Sequence, residues 1–215
     1  MPPTTSDLSG RLFIAVPLTA QVRTAIVAHL ARNLPPAGLP GRRVAAENWH
    51  LTMRFLGDTA AAAAQEVDRG LRAAVQEGRL GHTFELAFTG LGTFPRPANA
   101  RVVWLGTGGP GNEEGAGRLA ELAAVAGTVV RSAGWPPEDR PFAAHLTLSR
   151  LNPQQDVRPM LAAVPAFNLR MNVDQLLLFR SHLDRGPVSY EVLSRYPLGA
   201  TPESPESIPG MRGRT

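Results

Sequence analysis

The chain contains no cysteine and no lysine. The first absence excludes disulfides and thiolate metal sites. The second excludes covalent catalysis through lysine, whether a ligase-type lysyl-nucleotide or a Schiff base. All 22 basic side chains are therefore arginine; against 18 acidic ones they give a formal charge of +4. Arginine titrates so high that this modest excess lifts the sequence pI to 10.8. Two compatible readings are open: the codon bias of a GC-rich genome, or a preference for phosphate, which guanidinium binds in bidentate fashion. No apolar run approaches the roughly 18 residues of a membrane span. The opening segment MPPTTSDLSGR has no apolar stretch of signal-peptide type. No membrane partner and a cytoplasmic location are therefore expected. A Walker-type phosphate loop is also missing: GTGGPG (106–111) has no following lysine and no strand-to-helix setting.

With 215 residues, 43% of them hydrophobic, the chain is long enough for one substantial core or for two small lobes sharing one. Residues 1–10 and 200–215 read as disordered ends around a single domain over 11–199. Periodicity and turn residues predict strands over 11–16, 49–55, 83–89, 101–106, 144–150, 166–170, 173–180 and 188–196. Helices are predicted over 20–33, 59–77 and 117–133, with a short one from Pro153 to 163. Residues 106–116 read as a flexible glycine-rich loop, and HLDRGPVSY (182–190) as the turn of the last hairpin. This alternation is that of an α+β fold in which one unit is used about twice.

Two short segments carry the chemistry. HLTMRFLG (50–57) and HLTLSR (145–150) place two of the five histidines in near-copies of one pattern. Side chains alternate across a strand. His50, Thr52 and Arg54 therefore share one face, opposite Leu51, Met53 and Phe55. His145, Thr147 and Ser149 share another, opposite Leu146 and Leu148, and strict alternation leaves Arg150 on the Leu146 side. Such polar faces are costly to bury and suit a wet cleft. Two imidazoles across a cleft can exchange protons near neutral pH. Two hydroxyls and an arginine can steady charge on a phosphorus. The scheme needs no metal or other cofactor. A zinc site would need a third ligand, and neither HxxxH nor a carboxylate at ligand spacing is present. His29, His82 and His182 read as structural or exposed.

These two segments resemble the signatures His-x-Thr-x-x-Phe-Leu-Gly and His-x-Thr-x-x-Arg of the two-histidine phosphoesterase superfamily. More specifically, the chain resembles the bacterial and archaeal RNA 2′,3′-cyclic phosphodiesterases, historically named 2′-5′ RNA ligases. RLFIAVPL (11–18), FPRPANARVVWLG (94–106) and VDQLLLFRSHLDRGPVSYEVLSRYPL (173–198) extend the resemblance from Arg11 to Leu198. It implies two pseudo-symmetric lobes whose antiparallel sheets face each other across a V-shaped cleft, with helices outside. It implies metal-free hydrolysis of RNA 2′,3′-cyclic phosphate ends, tRNA fragments being one source, to 2′-phosphate ends. His50, Thr52, His145 and Thr147 would be catalytic, with His145 activating water and His50 protonating the departing 3′-oxygen. Arg150 would contact phosphate or ribose. Arg54, and Phe13 as a platform for the terminal base, are further substrate-binding candidates. Ala143-Ala144 stands where relatives often carry Pro or Arg before the second histidine. A monomer is expected. Reverse-reaction 2′-5′ end joining, non-catalytic binding of phosphorylated RNA ends, and a cyclic ADP-ribose phosphate substrate are the alternatives.

Overall fold

The computed structural model describes residues 8–109, 112–183 and 188–200. In chain order the strands and helices are β1 (Gly10–Pro17), α1 (Ala20–Asn33), β2 (Arg42–Arg43), β3 (His50–Thr59), α2 (Ala61–Gln76), β4 (Phe84–Phe94), β5 (Ala100–Thr107), α3 (Glu113–Ser132), β6 (His145–Gln155), α4 (Arg158–Ala163), β7 (Leu169–Val173), β8 (Gln175–His182) and β9 (Ser189–Pro197). A short 3₁₀ turn, Ala46–Asn48, leads into β3. Helix α1 starts where the sequence signals it: the Thr19 hydroxyl accepts from the Val22 N–H at 3.3 Å, and Val22, Ile26 and Leu30 form its buried stripe.

Several boundaries differ from expectation for identifiable reasons. Helix α3 begins at Glu113, four residues early. Its first turn carries Glu113 and Glu114, which favour the positive end of the helix dipole. Gly115 lets it lie against β4, since a Cβ there would collide with the Glu85 carbonyl oxygen. Strand β6 continues through Pro153 to Gln155, displacing α4 to Arg158. Proline is tolerated there because, beyond Arg150, β6 pairs only with β5. Strand β4 runs on to Phe94, because Trp104 of β5 lies over Gly92 and holds that stretch extended. The two-residue β2 was too short to read from periodicity. His182 ends β8 rather than lying in the turn. Of the ends expected to be disordered, 1–7 and 201–215 lie outside the described residues, as do 110–111 of the glycine-rich loop and 184–187 of the last turn. Leu8 is buried in the core.

All pairings between strands are antiparallel and form one curled, half-barrel sheet of order β7-β4-β5-β6-β3-β1-β8-β9, with β2 added beside β6. The α+β class, with two halves facing across a cleft, holds. The halves are not the two halves of the chain, however. One is β3-β1-β8-β9 and the other β7-β4-β5-β6, so the last hairpin returns to the first strands. Among the described residues they join through a single paired position, Leu51 with Leu146. Both leucines are fully buried in the main core. No helix among the described residues is long and apolar enough to cross a membrane.

Candidate active site

The joint between the halves positions the site. With Leu51 opposite Leu146 in antiparallel register, one step outward sets His50 beside Thr147 and Thr52 beside His145. The two His-x-Thr segments are thus related by an approximate two-fold axis through the leucine pair. Because the leucines point into the core, all four polar side chains share the opposite, concave face. Each is half-buried. Neither threonine hydroxyl has a hydrogen-bond partner among the described residues, so both are open to a ligand.

The two imidazoles are anchored identically. His50 Nδ1 lies 2.7 Å from the Asn48 carbonyl oxygen, and His145 Nδ1 lies 2.7 Å from that of Ala143. A carbonyl only accepts, so each Nδ1 carries the proton and donates it. That tautomer leaves both Nε2 atoms facing the cleft as the exchangeable positions. The unusual Ala143 costs nothing here, since its backbone makes the contact. Burial pushes the His50 pKa down to about 4; the Asn48 bond opposes this, while Arg150 and His145 add to it. His50 is therefore neutral near pH 7. Aromatic rings seat both histidines. Phe13 lies 4.7 Å and Tyr190 5.2 Å from the His50 ring, and Phe94 meets His145 edge-on at 5.0 Å.

Strict alternation fails two residues after each threonine, in the same way in both strands. Both show the exposure sequence intermediate, buried, intermediate, buried, buried, exposed, buried. In β3 the pairing with β1 skips Met53, since Ala15 faces Thr52 while Ile14 faces Arg54. In β6 the pairing with β5 skips Leu148, since Trp104 faces Thr147 while Val103 faces Ser149. Each is a β-bulge, and a bulge re-aims every later side chain.

The bulges correct four expectations. Arg54 does not join His50 and Thr52. It is 6% exposed on the core face, where it donates to the Pro136 carbonyl and pairs with Glu138 at 2.9 Å. Ser149 likewise turns inward, fully buried with an unpaired hydroxyl. Arg150, which alternation assigned to the wrong side, turns onto the concave face, exposed and close enough to depress His50. Phe55, expected in the core, occupies the matching position in β3 and is 61% exposed. Phe13 is on the concave face but only 3% exposed, stacked on Phe179 at 5.1 Å under His50. It supports the histidine and has no free face for a base.

Sequence reasoning missed Arg42, Tyr190 and Phe94 at this site. The signal for Arg42 was Gly41-Arg42 eight residues before His50. A cleft of about 390 Å³ opens beside His50, with Asn48, Phe179, Tyr190, Arg23 and Gln175 in its walls. A second cavity of about 430 Å³, between α1 and the loop at 34–39, is lined by apolar side chains apart from Arg43 and has no histidine in its walls. His29 reaches the Pro165 carbonyl and His182 pairs with Glu191. Among the described residues no three histidine or acidic side chains converge on one point.

This arrangement defines a class, and comparison with known proteins places the chain in it. A model of the 2′-5′ RNA ligase superfamily matches residues 16–185. The chain belongs to that superfamily. An Escherichia coli K12 protein named RNA 2′,3′-cyclic phosphodiesterase is 33% identical over 189 residues, which cover 87% of this chain and 96% of that protein. Proteins of the same name from Aeropyrum pernix and Geobacillus stearothermophilus are 36% and 31% identical over 58% and 89% of this chain. The matches span 65% and 58% of those two proteins, less than two thirds of their length. Among solved structures, E. coli LigT in apo form superposes with a TM-score of 0.72 at 30% identity, covering 90% of this chain and 99% of that one. LigT complexed with 3′-AMP gives 0.71 at 31% identity, covering 88% and 98%.

Proposed function

We propose that the protein hydrolyses the 2′,3′-cyclic phosphate ends of RNA to 2′-phosphate ends by paired histidine acid–base catalysis. The observation that carries this reading is the two-fold pair of His-x-Thr segments, each imidazole locked by a carbonyl two residues back with Nε2 turned to the cleft. The name shared by the curated relatives supports the substrate class.

In this mechanism the cyclic phosphate lies between Nε2 of His50 and Nε2 of His145. His145 takes a proton from water as the water oxygen bonds to phosphorus. The P–O3′ bond breaks on the opposite side, and His50 gives its Nε2 proton to the departing 3′-oxygen. One proton is taken up and one released, so the pair is ready for the reverse exchange. Thr52, Thr147 and Arg150 hydrogen-bond the non-bridging oxygens as charge builds there. His50 must enter this cycle protonated, yet burial keeps it neutral in the free protein. The phosphate anion itself reverses that balance: a negative charge beside an imidazole favours the imidazolium. His50 thus acquires its proton together with the substrate.

The test is hydrolysis of a short RNA ending in a 2′,3′-cyclic phosphate, with EDTA present. Wild type, His50→Ala and His145→Ala are compared and the product phosphate is located. The expected result is a 2′-phosphate product, indifferent to EDTA, with each variant slowed by roughly 10²–10⁴-fold. Loss of activity in EDTA would replace this mechanism with a metal-dependent one. Binding without turnover by the wild type would make the protein an RNA-end binder.

A further inference from the structure

Beside the histidine pair the concave face carries two guanidiniums whose apposition the fold enforces. Arg42 of β2 is paired directly opposite Arg150 of β6, and Arg43 opposite Ser149. Directly opposed residues share a face, so Arg42 stands on the concave side with Arg150, while Ser149 on the next row is turned to the core. Like charges directly opposite each other on a sheet destabilise it. The chain nevertheless provides for this contact. Gly41 adopts φ +75°, and a Cβ there would stand 2.5 Å from the Arg150 carbonyl oxygen. Only glycine lets β2 come this close. Val44 N–H then ties the segment to the Leu148 carbonyl at 2.8 Å. Both arginines are exposed, and neither has a hydrogen bond or ion pair to any described residue. The Tyr190 hydroxyl, half-buried, feels both cations, which oppose the upward push of burial on its pKa.

Arg150 reaches the histidine pair, since its charge bears on His50. Arg42 lies one strand spacing further out, about 5 Å. That step is of the order separating successive phosphates on a nucleic acid strand. We infer that Arg42 is a second phosphate seat, which binds the phosphate esterified to the 5′-oxygen of the terminal nucleoside. It thereby selects the end of an RNA chain over a free cyclic mononucleotide. The inference rests on the cyclic phosphodiesterase reading and assigns to Arg42 the next phosphate along the substrate.

Three substrates test it: a nucleoside 2′,3′-cyclic phosphate, the same compound carrying a 5′-phosphate, and a dinucleotide ending in the cyclic phosphate. Wild type, Arg42→Gln and Arg43→Gln are compared. Arg43 points its Nε at the Leu39 carbonyl and controls for the loss of one positive charge at the same place in the chain. For wild type and Arg43→Gln, KM should fall roughly tenfold when the 5′-phosphate is added. Arg42→Gln should lose that gain, with a much smaller effect on the unphosphorylated substrate. Its salt dependence, log KM against log salt, should be shallower by about 0.7 for the dinucleotide, the share of one phosphate contact on a single strand.

A separate binding measurement keeps this independent of turnover. Calorimetry with adenosine 2′-phosphate and adenosine 2′,5′-bisphosphate should show the extra affinity for the bisphosphate in wild type and not in Arg42→Gln. Equal loss on all three substrates, or an undiminished preference for the bisphosphate in Arg42→Gln, would overturn the seat. Failure of wild type to hydrolyse any of them, with the bisphosphate preference intact, would overturn the phosphodiesterase reading and leave the seat standing.

Discussion

At the scale of single residues, His50 decides how the protein responds to pH. Burial beneath Phe13 and Tyr190 holds its pKa near 4, below the 6.5 of an unhindered imidazole. Between those two values the unfolded chain binds the proton and the folded one does not. Stability therefore rises with pH through that window and is lost as pH falls from 6.5 toward 4. The loss should come to roughly 2–3 kcal/mol. Urea unfolding of wild type and His50→Gln at pH 7.5 and 4.5 measures it. The wild type should lose about 2 kcal/mol more than the variant on acidification, because glutamine does not titrate. Parallel losses in the two proteins would show that His50 is not held neutral by burial. The same residue couples protonation to ligand. Binding of a nucleoside 2′-phosphate at pH 7 should take up a proton, seen by calorimetry in buffers of different ionisation enthalpy. His50→Gln should abolish most of that uptake.

At the scale of elements, the two bulges separate what could be read from sequence and what could not. The existence of every strand but β2, the first helix, and the common face of His50 with Thr52 and of His145 with Thr147 followed from local pattern; the shared faces did so because period-2 alternation holds up to Met53 and Leu148. Past those residues alternation fails, and it fails through partners: Ala15 and Ile14 straddle Met53, and Trp104 and Val103 straddle Leu148. Nothing in HLTMRF or HLTLSR alone records how β1 and β5 lie against them. This is why the i+5 position of each segment, Phe55 and Arg150, reaches the cleft while Arg54 and Ser149 are turned inward. The repeated pattern itself was the available clue. A phenylalanine and an arginine at the same offset from two matched histidines are better explained by a shared geometry than by strict alternation. The consequence for Arg54 is measurable. Arg54→Ala removes a buried side chain, its bond to Pro136 and its pair with Glu138, and should cost about 2–4 kcal/mol of stability. Below its melting temperature it should keep kcat/KM within about twofold of wild type, a span of under half a kcal/mol. A fall of tenfold or more in a folded Arg54→Ala protein would return this residue to the substrate.

At the scale of the whole molecule, the site exists only where the two half-sheets meet. His50 belongs to the half built from β3, β1, β8 and β9, and His145 to the half built from β4 to β7. Among the described residues, Leu51 against Leu146 is the one paired position that joins them. The proton exchange proposed for this pair would tolerate little misplacement: an error of about 1 Å can cost on the order of 10²-fold in rate. Packing at this joint should therefore control catalysis far more than equal packing elsewhere. Leu51 and Leu146 are fully buried, and so is Leu71 on α2, a helix that packs mainly against α3 and β9. Truncation of any of the three to alanine opens a cavity of similar size and should cost about 3–5 kcal/mol. The kinetic effects should diverge. Leu71→Ala, assayed well below its melting temperature, should retain the wild-type kcat. Leu51→Ala and Leu146→Ala, at matched stability, should lose at least about tenfold in kcat, or about 1.4 kcal/mol of barrier, with a smaller change in KM. Equal kcat in all three folded variants would mean that the strands β3 and β6 are registered by the rest of the sheet, and that the leucine pair only fills space.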